Sequence, residues 1–136
     1  MEHIHYRSWE DMNIPNKPGA VEALADIASR DGADFLINQF SNLQSGDLNP
    51  QKLAIHCRAG IGRTGTLLAL INSFICLKEQ GEDPKLSTFS IVRRLREQRF
   101  DMCETKNQYK FINDTMAQWY KKEMETIPEA QENEEN

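Results

Sequence analysis

The stretch "KLAIHCRAGIGRTGTLLALINSFICLKEQ", residues 52–80, decides what kind of chain this is by how it divides. Its first part, "KLAI" (residues 52–55), reads as a short apolar strand, and "TGTLLALINSFICLKEQ" (residues 64–80) as a long apolar helix. The residues between them, "HCRAGIGRTG" (56–65), then form a strand-to-helix turn. At the start of a helix the first backbone N–H groups lack partners, and Gly60, Gly62 and Gly65 let the turn curl so that these groups converge. The result is a cradle for an anion, reinforced by the helix dipole. A nucleotide-binding loop needs a lysine directly before its Ser or Thr; Arg63 stands there instead, which argues against a Walker-type site.

Cys57 sits at the mouth of this cradle, where converging N–H dipoles, the helix start and Arg63 all favour its anion. A depressed pKa and a thiolate at neutral pH follow. Thr64 can donate its hydroxyl to that sulfur, and Arg63 offers a planar fork for two oxygens of a phosphoryl group. A lone cysteine usually means only a small buried apolar residue. The whole constellation reverses that reading.

"HCRAGIGRTG" resembles the Cys-x5-Arg signature of the protein tyrosine phosphatases, including the preceding His56 and the following Thr64 and Gly65. Upstream, "HIHYRSWEDMNIP" (residues 3–15) resembles the family's mobile acid loop, with Trp9 as its hinge-side aromatic and Asp11 as general acid. Downstream, "FSIVRRLREQRFDMCETKNQYKFI" (residues 89–112) is similar to the helix and glutamine loop that close the site. Rhodanese-like sulfurtransferases and small arsenate reductases also use a cysteine loop, but the tryptophan–aspartate segment argues against both.

The resemblance implies an α/β fold, a central twisted sheet flanked by helices, with the N-terminal half of the family domain absent from this chain or supplied by another segment. It implies that Cys57 is the nucleophile, that Arg58, Ala59, Gly60, Ile61, Gly62 and Arg63 bind phosphate, and that His56, Thr64 and Trp9 support them. Gln108 and Glu104 would position water, and Arg96 and Arg99 would lie behind the loops. The implied activity is hydrolysis of phosphotyrosine in a protein substrate through a cysteinyl-phosphate, with neither metal nor cofactor. Two departures stand out: Glu10 where the family usually has proline, and Glu104 where its water-orienting glutamine begins the loop. They keep open a phosphotyrosine-binding pseudophosphatase, and Arg58 inside the loop keeps open a dual-specificity or phosphoinositide phosphatase.

The chain has 136 residues, 39% hydrophobic and 27% charged, enough for one modest core. We read one partial catalytic domain over residues 1–125 and an acidic disordered tail over 126–136. Three cysteines without metal-ligand spacing favour neither a disulfide framework nor a zinc site, and a working thiolate suits a reducing, cytoplasmic setting. No secretory signal or membrane span is expected, since the longest apolar run, residues 66–77, is too short and carries Asn72 and Ser73. A net charge of −5 argues against nucleic acid as a partner.

The rest of the pattern is helical apart from a short strand near "HIHY". After Pro18 and Gly19 a helix is expected from about Ala20 to Leu43, interrupted near Asp31 and Gly32, with Val21, Leu24, Ile27, Phe35, Leu36 and Phe40 in the core. "QSGDLNP" and "GEDPKLS" read as loops, and Ser87 as the N-cap of the helix "TFSIVRRLREQR". A last helix from near Lys106 to near Glu125 buries Tyr109, Ile112, Met116 and Trp119 or Tyr120.

Overall fold

A computed structural model describes residues 2–17, 19–46, 51–80 and 87–126. Its centre is the helix that follows the cysteine loop, α3 (Gly62–Gln80). The earlier elements are α1 (Ala20–Asp26), a π-helical segment (Ile27–Asp34) and α2 (Phe35–Gln44); α4 (Thr88–Gln98) and α5 (Lys106–Thr126) follow. The π-helical segment, α4 and α5 all pack on α3. Ala69, Leu70, Ile71, Phe74 and Leu77 are accordingly buried with Leu24, Ala28, Val92, Leu95, Ile112 and Met116.

A helix enclosed on several sides has no polar face, so its polar side chains need partners within the helix itself. The Thr66 hydroxyl donates to the Gly62 carbonyl at 2.8 Å, Ser73 to Ala69 at 2.8 Å and the Asn72 amide to Leu68 at 2.7 Å. These bonds explain how Thr66, Asn72 and Ser73 stand in an apolar run. Trp119 meets Phe74 edge-on, with ring centroids 4.7 Å apart, whereas Tyr120 is exposed.

The expected interruption near Asp31 and Gly32 is a widening of the helix rather than a break, because the chain stays helical from Ala20 to Gln44 through the π segment. The widened turn brings Gly32 against Ile71, where a Cβ would lie 2.6 Å from that side chain. Lys78 of α3 donates to the Ser29 carbonyl at 3.2 Å, partnering backbone in the stretch where the α-helical ladder is lost. Phe40, expected in the core, is 60% exposed, and α2 has no fully buried residue. Ser87 caps α4 as expected, its hydroxyl accepting from the Ser90 N–H at 3.3 Å.

The expectation of an α/β fold with a central twisted sheet is wrong for this structure: among the described residues every regular element is helical. "HIHY" and "KLAI" are irregular segments in no ladder. A strand is stable only when its N–H and C=O groups are paired with another, and none of the backbone bonds outside the helices joins these two segments. Apolar residues in a short run mark what is fit for a sheet, not whether a neighbouring strand is present. Pro18, most of "QSGDLNP" and "GEDPKLS", and residues 127–136 of the acidic tail lie outside the described residues.

Candidate active site

The cysteine loop turns tightly at Gly60, whose φ of 73° is left-handed and open to glycine at little cost. This turn points the Gly60 N–H at the Cys57 sulfur, 3.2 Å away. Partial burial of Cys57 alone pushes its pKa up. The Thr64 hydroxyl and the N–H groups of Thr64, Gly60 and Ile61 outweigh that and bring the net value below that of an ordinary thiol. The buried Thr64 Oγ1 has no other partner, which makes the thiolate the acceptor its hydrogen lacks.

Arg63 lies in the first turn of α3, and its guanidinium faces the acid segment. Nη1 donates to the Trp9 carbonyl at 2.9 Å, and Nη2 pairs with Asp11 Oδ1 at 3.1 Å. Its buried Nε has no partner. Arg58 reaches toward the same carboxylate, at 4.0 Å from Oδ2, with a side chain 85% exposed. Asp11 thus stands at the mouth of the loop, held by two cations. Trp9 is buried against Phe111, and its indole N–H donates to the Asn13 carbonyl at 2.7 Å.

Behind the loop the partners are mostly backbone. Arg99 donates to the Ala59 carbonyl at 3.2 Å, while Arg96 donates to the carbonyls of Met102 and Cys103 at 3.0 and 2.9 Å. The Ile61 carbonyl accepts from the N–H groups of Gly65 and Cys103, both at 3.0 Å. This brings residues 102–103 so close to Gly65 that a Cβ there would lie 2.2 Å from the Cys103 nitrogen. Burial pushes the Cys103 thiol up, only partly offset by the Thr66 hydroxyl and the Arg96 charge, so it is the unreactive counterpart of Cys57.

Glu104 and Gln108 come to Gly62, where a Cβ would lie 2.9 Å from Glu104 Oε2 and 3.1 Å from Gln108 Nε2. Gln108 is fully buried, its Oε1 accepting from the N–H groups of Glu104 and Thr105 at 3.0 and 3.2 Å, its Nε2 donating to the Asn13 carbonyl at 3.3 Å. The structure therefore gathers Trp9, Asp11, Cys57, Arg58, Arg63, Thr64, Glu104 and Gln108 around one loop. His56 is exposed and makes no side-chain bond among the described residues. Asn13 escaped the sequence reading because its contribution is a backbone carbonyl, which leaves no mark on residue type. No group of three or more metal-ligating side chains occurs among the described residues.

The site therefore joins a cysteine biased toward its anion by a backbone N–H turn to an arginine at the helix start that is paired with a carboxylate. A model of the protein-tyrosine phosphatase family matches residues 1–118, and the chain belongs to that family. It is 32% identical over 117 residues to the human tyrosine-protein phosphatase non-receptor type 18, covering 86% of this chain and 22% of the relative. Identity to the rat tyrosine-protein phosphatase non-receptor type 2 is 34% over 113 residues, covering 82% and 23% respectively. For the tyrosine-protein phosphatase corkscrew of Drosophila virilis it is 32% over 111 residues, covering 81% and 13%. The chain thus spans less than a quarter of the length of these relatives. Among the described residues no helix is long and apolar enough to cross a membrane.

Proposed function

We propose that this chain carries the catalytic centre of a phosphatase that hydrolyses phosphotyrosine in protein substrates. The observation that carries the reading is the meeting of a thiol biased toward its anion with Arg63 and Asp11, which lie 3.1 Å apart at one mouth. In the first step the Cys57 thiolate attacks phosphorus in line. The phosphorus–oxygen bond to the phenol breaks, and Asp11, in its protonated form, gives its proton to the departing oxygen. Arg63 and the loop N–H groups hold the three remaining oxygens. In the second step water attacks the cysteinyl-phosphate, Asp11 takes the proton, and the sulfur leaves as a thiolate stabilised by Thr64.

Entry of the phosphate exchanges partners at Arg63: the dianion takes the fork, and Asp11 is released to work as an acid. Domain boundaries follow the same reading, with residues 1–125 as part of a catalytic domain and an acidic tail beyond. A second reading, a phosphotyrosine-binding module, draws on Glu104: its carboxylate beside Gly62 repels an incoming phosphate and cannot donate to it, slowing the second step.

The test is release of phosphate from a phosphotyrosine peptide by the purified chain, with Cys57→Ser as blank and circular dichroism to report folding. Turnover that disappears in Cys57→Ser is expected. A folded chain that binds the peptide without turning it over replaces the enzyme by the binding module, and a folded chain that does neither overturns both.

A further inference from the structure

Gln108 stands where the resemblance places a water-positioning side chain, yet its amide bonds run elsewhere. Its oxygen is used by two N–H groups of the turn before α5, those of Glu104 and Thr105. Its nitrogen donates to the carbonyl of Asn13, 95 residues away in the acid segment. That carbonyl also takes the Trp9 indole N–H, and the Trp9 carbonyl takes Arg63. The Gln108 amide also lies against Gly62 of the cysteine loop. One fully buried side chain thus touches the turn, the loop and the acid segment together.

We propose that Gln108 is a positioning residue, a latch that holds the acid segment closed over the cysteine loop and so sets Asp11 for proton transfer to the leaving group. The inference rests on the phosphatase reading and gives this side chain a role through Asp11, in the proton transfer of the first step, which kcat/KM reports, and in the proton uptake of the second. The bond to Asn13 exists only while the acid segment is down, so its contribution is to the closed population. One such bond shifts that population about fivefold to tenfold.

Two roles make opposite predictions about leaving groups. A latch on the acid matters for a poor leaving group, which needs the proton, and little for a good one. A water-positioner acts after the phosphoenzyme has formed, so its loss lowers kcat and leaves kcat/KM unchanged whatever the leaving group. The turn contacts are separated from the latch by a pair of substitutions. Gln108→Met removes all three bonds. Gln108→Glu keeps an acceptor for the turn N–H groups and loses its hydrogen for Asn13 once it ionises; burial beside Glu104 moves that ionisation upward, so the variant is assayed from pH 6 to 9.

The experiment uses the full chain in a Trp119→Phe background, where Trp9 is the sole indole of the two in the sequence. Acrylamide quenching of Trp9 reads closure without any need for turnover, and phenyl phosphate and 2,4-dinitrophenyl phosphate are compared as substrates. We expect both variants to raise Trp9 quenching about twofold or more and to lower kcat/KM for phenyl phosphate about fivefold to tenfold, with that of the dinitrophenyl ester changed less than about twofold. Wild-type quenching and rates in Gln108→Glu overturn the latch, leaving a turn role only. A fall in kcat with kcat/KM unchanged on both esters overturns it in favour of water positioning. If Gln108→Met does not fold, Gln108→Glu decides alone. If the unsubstituted chain turns over neither ester, the phosphatase reading fails while Trp9 quenching still decides the latch.

Discussion

The two sides of the cysteine loop are built differently. Behind it, Arg96, Arg99 and the Ile61 carbonyl tie loop, α3 and residues 102–103 together through backbone atoms, with no room for a methyl group at Gly65. In front, the acid segment is held by an ion pair with Arg63, one carbonyl bond from the same arginine, one bond from Gln108 and the packing of Trp9. The back consists of contacts that cannot be exchanged for a ligand. The front includes one contact that an oxyanion can replace, the Asp11 carboxylate on Arg63. On the proposed reading the fixed side is the phosphate cradle and the exchangeable side carries the general acid, a division that suits a donor set that must stay and an acid that must come and go.

The sharpest way to break the comparison is Gly65→Ala. The added carbon meets backbone, which cannot rotate aside, so we expect destabilisation by about 3 kcal/mol and loss of the cradle, read by thermal melting and phosphate binding. Asp11→Asn tests the front. Its pair with Arg63 is partly solvated, so stability should change by less than about 1 kcal/mol, while inorganic phosphate binds more tightly because a competing carboxylate is gone. Equal destabilisation by the two substitutions would erase the distinction.

The smallest effect concerns the sulfur. Because the folded Cys57 ionises at lower pH than an ordinary thiol, its alkylation rate by iodoacetamide should reach half-maximum below the midpoint of a free cysteine. Thr64→Ala should move that midpoint upward. The same linkage gives the ionised sulfur a stabilising contribution that is present above the unfolded pKa and lost as pH falls through the folded one. An unchanged midpoint in Thr64→Ala would remove the hydroxyl from the account.

The loop and the helices could be read in sequence because their signals are local. Glycines before an apolar run mark the turn, Ser87 marks a cap, and a 3.6-residue period marks α4 and α5. The cysteine-loop residues were singled out by residue type and spacing and the acid segment by its resemblance to the family's acid loop, and the structure brings the two together. The sheet was expected and is missing among the described residues, because strand formation depends on a partner, and "KLAI" carries no sign of whether one is present. Phe40 was misplaced for a related reason: its spacing fits a buried stripe, but nothing among the described residues covers that part of α2. The interruption near Asp31 and Gly32 was legible, but not its form as a π-helical widening over Ile27–Asp34 that sets Gly32 against Ile71 across the core. The Gln108 connection depends on a carbonyl, to which sequence is blind.

The Asp11–Arg63 pair has a consequence for any measurement of affinity. Arg63 already holds a counter-ion, so on the proposed reading an oxyanion that enters performs an exchange rather than a simple addition. The apparent dissociation constant is the intrinsic one divided by the fraction of molecules in which Arg63 is free. Ranking inhibitors by affinity alone would therefore mix their complementarity to the cradle with their ability to evict a carboxylate. Two anions of equal fit would rank differently if only one could bind while leaving Asp11 in place.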